Sequence, residues 1–381
     1  MKFGKIYIDR NIVLAGAVYF LVCGMILFKF GIQLNGEAEK YTDCANRILQ
    51  GKGLRNGFFG ILYVFYSVIV AIFIKSSIHL AGVAILQVGL SYFAALCLYK
   101  LLIETLENRT VAFLFFVAYL LCYPLQKWNF FLYTEGMHTS LVVIAVYFFH
   151  KVVTRETTGR WIVFGLMILA VIFSRPVGMI FFFAALLTFT VRLFKQKRRV
   201  GAIFVAATGI ACIIGILNSP VISFINPDSL KRMEIICQVP EANAGIVYQE
   251  VNPAGLGTAY RVIRDEIGFG KFIKIGGKKL AYFFGMVRPY YSRQNNGLLI
   301  LYWLFYPLAL LGIFSKTSSH FDHLRMLSVV YLIFISLTII FTCDDWANRF
   351  IAPAFPFILI PAAAGFQRLS GGLNFFRKKK E

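Results

Sequence analysis

The chain has 381 residues, of which 59% are hydrophobic and only 15% are charged. This composition excludes an ordinary soluble domain and is typical of a chain whose helices cross a lipid bilayer. The 39 Lys and Arg residues outnumber the 18 Asp and Glu residues, giving a formal net charge of +21. Basic cytoplasmic loops explain such an excess in a membrane protein, so it does not indicate a nucleic-acid partner. We expect an all-α, polytopic membrane protein.

Uncharged stretches that could cross a bilayer occur along most of the chain. There are eleven: 11–28, 57–74, 80–99, 110–126, 136–150, 161–174, 176–191, 200–217, 297–315, 326–343 and 350–367. If all eleven crossed, the short basic loops beyond residue 99 would face outward, against the preference of Lys and Arg for the cytoplasmic side. If 57–74 instead lies along the outer face, those loops and the basic tail become cytoplasmic.

The charge pattern therefore predicts about ten transmembrane helices, with 57–74 as a juxtamembrane helix at the outer face. Both termini are expected in the cytoplasm. Residues 1–381 are expected to form a single membrane domain with no separate soluble part. Size and composition favour the plasma (inner) membrane of a bacterium as the location.

Two outer loops are long enough to hold helices of their own. In the first, 32–79, the apolar residues Tyr41, Ala45, Ile48 and Leu49 recur at helical spacing, which predicts a surface helix over 37–50. In the second, 218–296, apolar residues recur every three or four positions with basic residues between them. This pattern predicts an amphipathic helix at the membrane surface, over about 258–284.

Charged residues collect on the predicted outer side, where they would be costly to hold near lipid and are typical of a pathway or a site. The acids are Glu37, Glu39, Glu135, Asp344 and Asp345, and the cations are Lys75, Arg175 and Arg349. Carboxylates suit general-base chemistry or a divalent metal, and arginines suit phosphate oxygens. The metal requirement stays open at this point, and no cofactor is indicated with certainty.

Structural roles remain open for the same residues. Glu37 could be a solvated helix charge, with Glu39 holding the catalytic role instead. Glu135 could be an acid favoured by the dipole of the helix that follows it. Arg175 could extend toward the membrane surface from the end of a short span, and Arg349 could pair with Asp345.

Several of these segments resemble the GT-C superfamily of membrane glycosyltransferases, such as the aminoarabinose transferases and the protein O-mannosyltransferases. The first is the pattern Glu37-x3-Tyr41-x3-Ala45-x2-Ile48-Leu49-x-Gly51-x-Gly53, which is similar to the first outer loop of that family. The likeness continues in FLYTEGMHTSL (131–141), FSRPVG (173–178) and DDWANRFIAPAFPFILIPAA (344–363). Together these segments touch most of the chain.

The resemblance implies a GT-C-like fold and a glycosyltransferase that moves a hexosyl or pentosyl group from a polyprenyl-phosphate donor. The acceptor would be a glycan, a lipid or a protein at the outer face, and the transfer would invert the anomeric carbon. Glu37 would be the catalytic base, at a position where the family usually has Asp. Glu39, two residues on, is a rival for that catalytic role, and Glu135 would be a further catalytic-site acid or a metal ligand. The expected substrate-binding residues are Tyr41, Lys75, Arg175, Asp344, Asp345 and Arg349.

Three other functions are compatible with the sequence. A transporter or flippase for lipid-linked glycans would depend on residues inside the helix bundle and should tolerate Glu37→Gln. A polysaccharide polymerase would share the lipid-phosphate chemistry but rely on arginine-rich outer loops. A scaffold that has kept the fold and lost activity is the fourth interpretation.

Overall fold

The structure is a computed structural model that describes residues 10–34, 36–54, 58–106, 108–218, 233, 260–315, 321–342 and 348–378. These residues are predominantly helical. Within them the only extended pairing is an isolated backbone bridge between Gln33 and Phe131. The all-α prediction is therefore confirmed. The chain divides into two compact units, Met1–Gly178 with Leu369–Glu381, and Met179–Arg368.

The first unit contains the helices that carry most of the predicted site. They are α1 (Arg10–Phe30), α2 (Glu37–Leu49), α3 (Phe58–Ile61), α4 (Val64–Lys75), α5 (Ala81–Leu106), α6 (Arg109–Leu120), α7 (Tyr123–Gln126), α8 (Thr134–Thr154) and α9 (Thr158–Ser174). A short 3-10 turn, Lys127–Phe130, joins α7 to the segment before α8.

The second unit contains most of α10 (Gly178–Lys195), then α11 (Arg199–Leu217), α12 (Phe269–Gly285), α13 (Arg293–Leu301), α14 (Phe305–Phe314) and α15 (Asp322–Ile340). It also holds the first part of α16 (Pro356–Lys378). A π-helix, Val262–Ile267, precedes α12.

Six helices of the described chain are long and apolar enough to cross a membrane. They are α1, α5, α8, α10, α15 and the combined α13–α14 segment Arg293–Phe314. Helix α6 and the segment Tyr123–Phe130, which are bent by 48° relative to each other, give a seventh if they form one broken span. Helices α9 and α11 are apolar but shorter. The ten predicted segments all overlap helices, and six of these stand out as candidate spans.

Helix α8 is the central element of the first unit. Every residue from Thr134 to Val146 is buried, and the helix packs between α5 and α9. A helix that is apolar on all sides can be enclosed in this way because it has no face that must remain in contact with solvent. Polar residues in its first two turns are therefore held inside the protein.

The segment that connects α1 to α5 begins and finishes at the same end of the first unit. Just after α1, the backbone N–H of Gln33 donates to the Phe130 carbonyl over 2.8 Å. In the second turn of α5, the Gln87 amide donates to the Phe131 carbonyl over 3.0 Å. Helix α4 lies between these points and has 12 residues, or about 18 Å, against a hydrocarbon core of about 30 Å. The interpretation that 57–74 lies along the outer face stays a prediction.

The opposite end of the first unit holds a separate charged cluster. The Glu104 carboxylate of α5 lies 2.5 Å from Lys151 Nζ and 3.3 Å from His150 Nε2, both near the end of α8. Glu135, in the first turn of α8, lies 16 residues before Lys151, or about 24 Å along the helix. The charged residues of α8 thus lie at its two ends.

Two predicted surface helices differ in detail from the sequence prediction. Helix α2 spans nearly the predicted range, but its buried face is formed by Ala38, Tyr41, Cys44 and Ala45, whereas Leu49 is 41% exposed. The predicted amphipathic helix of the long loop is divided at Gly268, whose φ of 77° ends the π-helix before α12 begins. Most of the loop before residue 260 lies outside the described residues.

Helices α14 and α16 approach each other closely at two glycines. A Cβ atom added to Gly312 would lie 1.8 Å from the Pro361 carbonyl oxygen. One added to Gly365 would lie 1.9 Å from the Leu308 carbonyl oxygen. Small residues allow such backbone contacts between helices in membrane proteins.

Replacing Gly312 with alanine should therefore lower the free energy of unfolding by about 1 to 3 kcal/mol, because backbone atoms of α14 and α16 must move apart. Thermal unfolding of the purified protein in detergent measures this effect. Gly297→Ala in α13 is the control, since an ideal Cβ there meets no atom within 4 Å. Equal melting temperatures for the two variants would contradict the close crossing.

Candidate functional site

A buried ion pair joins the start of α8 to the end of α9. Glu135 Oε1 lies 2.7 Å from a terminal nitrogen of Arg175, and their side chains are 0% and 5% exposed. Glu135 is in the first turn of α8, and Arg175 directly follows the last residue of α9. Burying two charges costs several kcal/mol per ion, which their mutual attraction only partly returns. A pair held at this cost is a candidate for a functional role.

His138 lies one turn after Glu135 and is bonded to the end of α9. Its Nδ1 is 2.8 Å from the Ser174 hydroxyl oxygen, and that hydroxyl donates its proton to the Val171 carbonyl over 2.8 Å. Because the hydroxyl proton is used in this way, Nδ1 must be the donor to Ser174. In a neutral imidazole Nε2 is then an acceptor.

Tyr66 of α4 brings a phenol to the same place. Its side chain is completely buried. Burial, followed by the negative charge of Glu135, raises the pKa of Tyr66 well above its usual value. The phenol is therefore protonated at physiological pH and can donate a hydrogen bond.

A group of aromatic rings connects Tyr66 to α2. The rings of Tyr41 and Tyr66 meet edge to face with centroids 5.1 Å apart, and Tyr41 lies 5.7 Å from Tyr63. The Lys40 ammonium lies 4.2 Å from the centroid of the Tyr63 ring. Such contacts fix α2 on α4, because offset and edge-to-face aromatic pairs and cation–π contacts are both favourable.

The first turn of α2, which carries Glu37 and Glu39, begins beside the segment that leads into α8. Leu132 N–H donates to the Gln33 carbonyl over 3.0 Å, and a Cβ added to Gly36 would lie 3.1 Å from the Tyr133 hydroxyl. Glu37 follows Gly36, and Glu135 lies two residues after Tyr133. The two acid-bearing helix starts are thus neighbours. Glu37 is partly buried and Glu39 is exposed.

Several buried polar groups on α4 and in the first two turns of α8 have no hydrogen-bond partner among the described residues. They are Tyr66 Oη, Ser67 Oγ, Thr134 Oγ1, His138 Nε2 and Thr139 Oγ1, and each residue is at most 4% exposed. Buried polar groups in proteins are nearly always bonded, often through internal water. We call these five side chains, which belong to α4 and the start of α8, the buried polar cluster.

The predicted site residues do not all lie at one place in the described structure. Glu37, Glu39, Tyr41, Glu135 and Arg175 lie together at this end of the first unit. Lys75 is exposed at the end of α4, nine residues and about 13 Å along the helix from Tyr66. Arg349 belongs to the second unit and is partly buried. Asp344 and Asp345 lie outside the described residues.

The sequence interpretation missed the contribution of α4. Tyr66 and Ser67 are adjacent polar residues inside the apolar stretch 57–74, and that interruption was the available signal. It also missed that Arg175 pairs with Glu135, since the two residues are 40 positions apart. Among the described residues, no group of three or more His, Cys, Asp or Glu side chains is arranged to hold a metal ion.

Comparison of this chain with known proteins identifies no family. The sequence matches no family model, and it matches no curated protein.

Proposed function

We propose that the protein is a membrane glycosyltransferase of the GT-C type, with about ten membrane spans, that uses a polyprenyl-phosphate-linked sugar. The observation that carries the proposal is the meeting of two acid-bearing helix starts, at Glu37 and Glu135, beside a buried arginine. Sugar transfer from a lipid phosphate requires a base for the acceptor hydroxyl and a cation for the leaving phosphate. This end of the first unit offers both kinds of group.

Each residue has a distinct role in the proposed reaction. Glu37, which is partly buried in the first turn of α2, removes the proton from the acceptor hydroxyl as the hydroxyl attacks the anomeric carbon. The bond between the anomeric carbon and the bridging phosphate oxygen breaks, and the polyprenyl phosphate leaves with its negative charge. Arg175 stabilises that charge, and Glu135 is the positioning residue that holds the guanidinium.

The buried polar cluster suits a substrate rich in hydroxyl groups. Tyr66 and Thr134 can donate or accept, and His138 Nε2 can accept. A sugar ring needs several such partners once it leaves water, because each unmatched polar group is costly. These groups are supplied by α4 and α8, next to the proposed base.

The test is release of polyprenyl phosphate by the purified full-length protein. Synthetic polyprenyl-phosphate hexoses and pentoses serve as donors, and a bacterial glycolipid extract supplies acceptors. We expect release from one class of donor, above the rate of a heat-treated sample. Binding of the donors without any release would count against a transferase.

A transporter or flippase for lipid-linked glycans is the second candidate. The complete burial of the Glu135–Arg175 pair within the first unit favours it, because buried charges often mark transport pathways. Lipid-flipping assays in vesicles separate the two functions. A transporter would move the donor between leaflets without breaking it, and Glu37→Gln would leave that movement intact.

A further inference from the structure

Helix α12, in the second unit, has one strongly basic face. Lys271, Lys274 and Lys278 follow each other at intervals of three and four residues, so they lie on the same side of the helix. All three are exposed, and the 17 residues of α12 include no acid. We call these three residues the basic strip.

The opposite face of α12 packs on the end of a candidate membrane span. Phe283 is buried, and an added Cβ on Gly276 would lie 3.4 Å from Ile340, the last residue of α15. The Lys279 ammonium donates to the carbonyls of Met233 and Thr342. Because α15 spans Asp322–Ile340, these contacts place the middle of α12 at the level where that span ends.

Aromatic side chains hold the C-terminal end of α12. The Trp303 indole donates to the Gly285 carbonyl over 2.9 Å, and the Tyr306 hydroxyl donates to the Phe284 carbonyl over 2.5 Å. Trp303 and Tyr306 belong to the candidate span Arg293–Phe314. The C-terminal end of α12 is thus packed against this candidate span.

Apolar side chains flank the basic strip. Phe269 is 50% exposed and Ile273 is 69% exposed, on the side of α12 between its buried face and its lysines. A helix with exposed apolar residues beside a row of lysines is typical of one that lies in the membrane interface. The three lysines extend over about 10 Å of helix, which is more than one phosphate group can contact.

We propose that the basic strip binds the phosphate headgroups of anionic phospholipids in the membrane around the protein. The charges are complementary because the three exposed lysines have no acid beside them within α12. They lie at the level of the negatively charged headgroups. The flanking Phe269 and Ile273 enter the acyl boundary of the same lipids. This docking surface is independent of the proposed glycosyltransferase activity.

The test measures lipid retention by the full-length protein. Protein purified in detergent is titrated with phosphatidylglycerol or phosphatidylcholine, and bound lipids are counted by native mass spectrometry. We expect the triple variant K271Q/K274Q/K278Q to lose phosphatidylglycerol affinity by about tenfold, with little change for phosphatidylcholine. The preference of the wild type should weaken as salt rises.

The matched control keeps the charge of the strip and changes only the side chains that carry it. K271R/K274R/K278R replaces the same three exposed lysines with arginines. Because the three positive charges remain, the control should keep its phosphatidylglycerol affinity within about twofold of the wild type. Equal losses in both triple variants, or equal retention of the two lipids by the wild type, would overturn the proposal. Unchanged melting temperatures in detergent confirm that the variants fold.

Discussion

Replacing Glu135 with glutamine will lower the free energy of unfolding by about 3 to 5 kcal/mol, because the Arg175 guanidinium then stays buried without its carboxylate. The partners are 2.7 Å apart and almost completely inaccessible, so solvent does not take over the lost interaction. Titration of the purified protein with a denaturing detergent measures the change. The effect concerns folding and is expected whether or not the protein is an enzyme.

The control for this prediction is the same substitution at an exposed acid. Glu39→Gln in α2 should change the unfolding free energy by no more than about 0.5 kcal/mol. The double variant Glu135→Gln/Arg175→Gln should recover part of the loss, since removing the second charge relieves the uncompensated burial. If Glu135→Gln and Glu39→Gln were equally stable, the ion pair would not be formed in the protein.

Under the proposed function, Glu37→Gln will reduce the release of polyprenyl phosphate at least about 100-fold. Glutamine has nearly the same shape as glutamate but cannot remove a proton, so the loss should appear in kcat rather than in KM. The measurement is release of polyprenyl phosphate by wild type and variant side by side. Glu37 is only partly buried, so the variant should fold normally.

Two variants in the same helix sharpen the assignment of the base. Asp43→Asn changes an exposed acid of α2 and should leave the rate within about twofold of wild type. Glu39→Gln tests the alternative base two residues away. A rate that falls for Glu39→Gln but not for Glu37→Gln would transfer the role to Glu39, and full activity in both would leave Glu135 as the remaining acid.

Much of the fold follows from local sequence features. Helix α2 ends one residue before the predicted limit, because Gly51 and Gly53 adopt φ values of 68° and 71° that other residues rarely take. Counting basic residues along the chain also singled out 57–74 as the stretch predicted not to cross. Helix α4, within this stretch, has 12 residues, and the chain on either side of it meets at one end of the first unit.

The contacts that form the site could not be predicted in this way. Helical periodicity shows which residues share a face, but it does not show which other helix that face will meet. Glu135 and Arg175 are joined only because α8 and α9 pack side by side in opposite directions. Tyr66 reaches them only because α4 packs against both α2 and α9.

The sequence by itself determined that this protein is helical and apolar, and that its charges gather at the ends of its helices, since charge is excluded from lipid. The tertiary structure decided which of those charges meet. Burial then selected Glu135 and Arg175 as a pair, while Lys75 remained exposed. The physical reason is that a buried charge is tolerated only where packing supplies its partner, and packing depends on residues far apart in the chain.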